Sequence, residues 1–135
     1  MMERKNSADV RSREKSYRVL VAVSSERDLK ALLRTAYTIA AAHEGELRLV
    51  TVTREGAAPS WLVIPDRYGD VPVETVARSG KDISAVILDE TQTYRPEVLI
   101  MGWSGKLNQG RYLLGRTLDP VVQSANCDVI VQEGE

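Results

Sequence analysis

Among its 135 residues the chain has one cysteine and one histidine. A lone thiol, Cys127, cannot close an internal disulfide, and one imidazole, His43, leaves no Cys/His spacing that would bind a metal. An excess of either charge is missing as well: 18 Lys and Arg face 19 Asp and Glu, for a net charge of −1 and a pI near 5.9. No overall basic field is available to hold a nucleic acid by its phosphates. No early apolar run has the length of a signal peptide or a membrane span. The expectations from these absences are a reducing, cytoplasmic setting, no nucleic acid partner, no membrane insertion and no resident metal.

What is present is the mixture of one globular domain, 43% hydrophobic and 27% charged. The first sixteen residues, "MMERKNSADVRSREKS", hold five cations against three anions and only four apolar groups. They bury too little to offset ordering, so 1–16 reads as a flexible polar tail and 17–135 as the domain. A cation-rich leader is also what a linker from a membrane-embedded partner carries on its cytoplasmic side.

From Tyr17 the apolar pattern alternates between two periods. "YRVLVAV" is β-branched and breaks at Ser24 and Ser25, residues that cap helices. Leu29, Leu32, Leu33, Ala36, Ile39 and Ala40 then recur at helical spacing until "HEGE" supplies a stop. "ELRLVTVT", "VPVETVA", "EVLIMG" and "DVIVQ" read as four further strands. Helices fall over "KDISAVILDETQTYRP", with Ile83, Val86 and Ile87 at helical spacing and an end before Pro96, and near Arg116, where Pro120 fits an early helical position. The stripe of that last helix is Leu114, Thr117, Leu118, Val121 and Val122.

Alternation of this kind predicts a doubly wound α/β domain with a five-stranded parallel sheet in the flavodoxin-like order 3-2-1-4-5. Winding then reverses between the first and fourth strands, and ligands of open α/β sheets bind at such a reversal. "AVSS", Ala22 to Ser25, and "MGWSG", Met101 to Gly105, meet there. The glycines of "GWSGKLNQGRYLLG" either bend a loop around a ligand or serve two tight turns.

In this setting Gly102, Gly105 and Gly115, separated by two and nine residues, resemble the glycine loop of the universal stress protein domain, an adenine nucleotide alpha hydrolase-like fold. The resemblance spans roughly Tyr17 to Gln132. It implies ATP or another adenine nucleotide as ligand, with Mg2+ as an optional companion ion. Carried over by position, the adenosine contacts fall on Val23, Ser24 and Val52. The phosphate contacts fall on Met101, Gly102, Ser104, Gly105, Gly115, Arg116 and Thr117.

Two departures stand out. Ser24 occupies the position of the family's aspartate, and Arg116 that of its hydroxyl residue. An arginine at this point either grips phosphate with its planar fork or points into solvent. Trp103 fills a position usually small, and it either stacks on a base or packs against neighbouring loops. The seventeen residues "REGAAPSWLVIPDRYGD" are also shorter than the family's link between the second and third strands. The first-helix face is left less covered, for Trp61, Leu62, Val63 and Ile64 to plug or for a partner to cover. Such shortened domains resemble those appended to amino-acid permeases and ion antiporters, so a membrane transporter is one implied partner.

No catalytic residue is assigned. His43 belongs to a helix end, Cys127 to apolar packing, and Asp28, Glu44 and Glu46 to the surface. The function expected is therefore an adenine-nucleotide-binding regulatory module of a stress response or of a transporter, without efficient catalysis. Its alternatives are a nucleotide-independent dimeric interaction domain and a weak ATPase. The last strand, with alternating apolar groups and an open edge, is expected to pair two copies in a homodimer.

Overall fold

A computed structural model describes residues 16–105 and 114–133. The expected tail, up to residue 15, and the middle of the glycine loop, 106–113, lie outside the described residues. The elements in chain order are β1 (Arg18–Ala22), α1 (Glu26–Ala42), β2 (Glu46–Thr53), β3 (Arg67–Tyr68), β4 (Val71–Ser79), α2 (Ile83–Tyr94), β5 (Val98–Trp103), α3 (Leu118–Ser124) and β6 (Asp128–Glu133).

They form one sheet in the order β3-β4-β2-β1-β5-β6. All pairs are parallel except β3–β4. The five parallel strands carry the order expected from the alternation. The sixth, β3, is an addition: Gly69, at φ 56°, turns the chain back so that Tyr68 opposes Val71 and Arg67 opposes Pro72. A left-handed residue at a hairpin tip is within a glycine's reach at little steric cost. The short connection thus ends in an antiparallel edge rather than feeding β4 directly.

Period two along each strand divides the apolar side chains between two cores. Val19, Val21, Val23, Leu47, Leu49, Val73 and Ile100 face α1, which contributes Leu32, Ala36 and Ala40. Leu20, Val50, Leu99 and Met101 face α2 and α3, which contribute Ile87, Tyr94, Leu118 and Val121. Each fully buried aliphatic side chain contributes about 1.5–3 kcal/mol of transfer free energy. Leu62 is buried in the α1-side core, with Trp61 and Ile64 packed against it. Val63 is 82% exposed, so the expected four-residue plug is a three-residue one.

The α2 face is also held by charge. Buried Glu90 accepts from Arg48 at 3.2 Å and from Arg78 at 2.5 Å. Arg48 reaches Glu74 at 2.8 Å, Arg78 reaches Asp89 at 2.9 Å, and the Arg48 guanidinium lies 4.3 Å from the Tyr94 ring centroid. Burial opposes the Arg48 charge, but hydrogen bonds and attraction from Glu74 and Glu90 outweigh it and raise its pKa. The network ties α2 to β2 and β4 where apolar packing thins out toward the sheet edge.

Helix boundaries follow local chemistry. Asp82 caps α2 by accepting from the Ala85 N–H at 3.2 Å, and the helix ends at Arg95, φ 57°, directly before Pro96. Ser25 precedes α1 without a side-chain cap bond. The last helix starts at Leu118, with Arg116 and Thr117 in the preceding turn instead of in the helix. Asp119 fixes this entry: its N–H donates to the Gly115 carbonyl at 3.1 Å, and its carboxylate accepts from the Leu114 N–H at 2.8 Å. Of the expected stripe Leu118 and Val121 are buried, Leu114 and Thr117 half-buried, and Val122 exposed. A helix of seven residues makes only two turns, so one narrow line of side chains reaches the sheet.

Candidate functional site

β1 lies at the centre of the sheet, with β2 on one side and β5 on the other. The chain leaves β1 toward α1 on one face and leaves β5 toward α3 on the other. Among the described residues no crossover covers the carboxyl ends of these two strands, and a crevice opens between them. The β1–β2 ladder runs one residue past the strand, the Val23 N–H donating to the Val50 carbonyl at 3.0 Å, which fixes Val23 and Ser24 at the rim.

A cavity of about 240 Å³ occupies this crevice. Ala22, Val23 and Ser24 line it from β1, Val50 and Val52 from β2, and Met101 and Gly102 from β5. Ile83 and Ile87 of α2, and Thr117 and Leu118 at the entry to α3, close the remaining side. Its wall is therefore mostly aliphatic, with Ser24 and Thr117 as hydroxyl groups. A second cavity of about 470 Å³ shares Ile83 and Thr117 with the first, and adds Lys81, Asp82, Ser84, Arg116 and Pro120. The two form an apolar slot beside a polar, cationic annex.

Asp82 is the acid in the annex, and its carboxylate is already engaged. It accepts from the Ser84 hydroxyl at 2.8 Å and from the Ala85 N–H, and these bonds hold its pKa below the ordinary carboxylate value. The charge of Asp82 is directed at the α2 amino end. Lys81 and Arg116, by contrast, make no ion pair among the described residues.

Of the residues assigned from sequence, Val23, Ser24, Val52, Met101, Gly102 and Thr117 line the slot and Arg116 the annex. Ser104, Gly105 and Gly115 line neither. Gly105 (φ 85°) and Gly115 (φ 145°) have backbones that side chains rarely adopt. A Cβ at Gly105 would also collide with the Glu133 carboxylate, and one at Gly102 would stand 2.9 Å from Oδ2 of Asp28. Asp28, read as a surface residue, is half-buried against this loop. Trp103 packs on the α2-side core, with its indole Nε1 buried and without a hydrogen-bond partner among the described residues.

Sequence reasoning missed Val50, Ile83, Ile87 and Leu118 as cavity residues, and Lys81 altogether. The first four were recognisable as apolar periodic positions, but periodicity does not distinguish a core position from a cavity wall. Lys81 precedes a helix cap, a place where an exposed lysine carries no sequence signal.

His43 caps the far end of α1 and stacks on Tyr17 at 3.9 Å, at the amino edge of the sheet. Cys127 is half-buried beside β6, and burial, then the Asp128 charge, pushes its thiol pKa up. Among the described residues no group of three or more His, Cys, Asp or Glu side chains could hold a metal ion. None of the described helices is long and apolar enough to cross a membrane.

A family model described as the universal stress protein family matches residues 63–132, just over half of the chain. No curated protein matches. Solved structures do. A universal stress protein from Archaeoglobus fulgidus superposes with a TM-score of 0.62 at 17% identity, covering 85% of this chain and 97% of its own. A universal stress protein in complex with cAMP gives 0.67 at 20% identity over 89% and 98%. UspA from Lactobacillus plantarum gives 0.64 at 19% identity over 85% and 96%. At such identities the likeness speaks for the shared fold alone.

Proposed function

Because the chain belongs to the universal stress protein family, we propose that it binds ATP or a related adenine nucleotide at the switch-point crevice and acts as a regulatory module without efficient turnover. The observation that carries this reading is the pair of neighbouring cavities that share Ile83 and Thr117, an aliphatic slot beside an annex whose two cations, Lys81 and Arg116, make no ion pair among the described residues. A purine is flat and largely apolar, and suits a slot walled by Val50, Val52, Ile87 and Leu118. Phosphates suit Arg116, whose fork gives paired, charge-assisted donors, together with the backbone of the glycine loop. Mg2+ is assigned to the phosphates, since the described residues offer no cluster for it. The structural neighbour in complex with cAMP supports a nucleotide as the ligand class.

Low turnover is proposed because the only histidine stands at the opposite edge of the sheet, leaving no imidazole base for the crevice. Two copies are further proposed to pair through β6, whose partly exposed Val129, Ile130 and Val131 form the open edge of the sheet.

A second reading, a nucleotide-independent interaction domain, is favoured by one observation. The carboxylates of Asp28 and Glu133 occupy the space beside Gly102 and Gly105. The chain's own acids thus give both glycines a packing reason to exist.

Calorimetric titration of desalted protein with ATP, AMP and adenosine separates the two. With Ser24 in place of a carboxylate, phosphate recognition carries most of the affinity. ATP should bind more than tenfold tighter than adenosine, about 1.4 kcal/mol. Gly115→Val and Arg116→Ala should each weaken ATP while the fold persists. Absence of heat at millimolar ATP would leave the interaction domain as the function. Phosphate release from repurified protein should stay at background, and a rate that follows the protein through purification would make it an ATPase.

A further inference from the structure

On the opposite face of the sheet, the short connection leaves α1 partly uncovered. Lys30, Leu33, Arg34 and Tyr37 recur there at i, i+3, i+4 and i+7, so they share one stripe of the helix. Across from them stands the β3–β4 hairpin, with Tyr68 and Gly69. These six residues line a groove of about 390 Å³, within the range of small-molecule sites. Tyr37 and Tyr68 meet edge to face at 6.2 Å between centroids and 76° between planes. A Cβ at Gly69 would come within 3.3 Å of the Tyr37 hydroxyl, so the glycine leaves room at the tyrosine edge.

Charge is the second, independent observation. Lys30 and Arg34 sit one turn apart on α1, where like charges repel. Neither makes an ion pair among the described residues. Glu26, one turn before Lys30, does not pair with it, and Asp66 and Asp70, which flank the hairpin in sequence, do not line the groove. Two adjacent cations that make no ion pair among the described residues, beside Leu33 and two aromatic rings, are complementary to a flat apolar molecule that carries an acid.

We propose that this groove is a second ligand site, for a small aromatic anion whose ring packs on Leu33, Tyr37 and Tyr68 and whose acid group lies against Lys30 and Arg34. The site is independent of the nucleotide reading, being built on the other face of the sheet.

The test uses 2-naphthoate as probe and 2-naphthamide as its neutral counterpart, followed through amide chemical shifts of the labelled full chain. With naphthoate, shifts should concentrate at Lys30 to Tyr37 and at Tyr68 and Gly69. Affinity should fall by roughly tenfold or more for naphthamide and for the double variant Lys30→Gln/Arg34→Gln. These exposed substitutions should leave the remaining spectrum and the ATP titration unchanged. Tyr37→Ala, at a position 38% exposed, should weaken the probe without unfolding the chain. No shifts at millimolar naphthoate, shifts confined to the switch-point cavity, or equal affinity of the amide or the double variant would each overturn the proposal.

Discussion

Glu90→Leu tests what holds α2, and with it Ile83 and Ile87, against the crevice. The Glu90 side chain is 4% exposed and carries two charge-assisted bonds, to Arg48 and Arg78. Removing one partner of a buried pair costs about 3–5 kcal/mol, because the opposite charge is left without compensation. Here each arginine keeps another carboxylate, Arg48 at Glu74 and Arg78 at Asp89, with those carboxylates 60% and 52% exposed. Arg48 keeps the Tyr94 ring as well. The loss should therefore fall at the lower end, about 3 kcal/mol. Glu90→Gln, which retains an acceptor and loses the charge, should cost about half of that, since hydrogen bonds to charged groups contribute about 1.5–3 kcal/mol. Urea denaturation measures both, with an unchanged dependence on denaturant showing that the change is in stability. In a double-mutant cycle with Arg78→Met the double variant should lose less than the sum of the two single losses. A Glu90→Leu loss below about 1 kcal/mol would refute the argument, and place the pair with exposed salt bridges of little value.

The folded-state pKa of Asp82 is lowered, so its contribution to stability is present above the pKa of the unfolded chain, near 3.9. It is lost as pH falls through the folded value; Asp82→Ala should lower the thermal midpoint at neutral pH and lose the difference from wild type in strong acid. For Cys127 the shift is upward, by burial and then the Asp128 charge, so at a given pH the folded thiol holds less thiolate than the unfolded chain and iodoacetamide should modify it more slowly than in urea, the gap narrowing at high pH. Light scattering at micromolar concentration should give a two-copy mass, and Ile130→Lys a folded 15.0 kDa monomer if β6 is the interface.

The parallel sheet and its reversal point were legible because "YRVLVAV", "ELRLVTVT", "EVLIMG" and "DVIVQ" carry strand composition and helical periods separate them. The added β3 was not, since two residues, Arg67 and Tyr68, are too few to show a period. Its only trace was Gly69, one glycine among nine. The start of α3 lies two residues later than expected because Pro120 is equally at home at several early helical positions, and the deciding bonds, between Asp119 and the backbone of Leu114 and Gly115, are local capping contacts that an aspartate beside a proline does not by itself announce. Spacing alone places Val122 inward, whereas the shortness of the helix narrows the buried line and leaves it exposed. At the crevice the glycine spacing named the loop, but Asp28 and Glu133 beside it come from α1 and β6, far away in sequence. No local pattern announces such a meeting. Lys81 and Arg116 are 35 positions apart and become neighbours of one annex only through the packing of α2 beside α3.

The most direct measurement is a crystal structure of the protein grown with ATP. The adenine ring should lie in the slot against Val50, Val52 and Ile87, with the phosphates turned toward Arg116 and the loop between Gly102 and Thr117. Density for ATP at another place, or an empty crevice in crystals grown at millimolar ATP, would contradict the nucleotide reading.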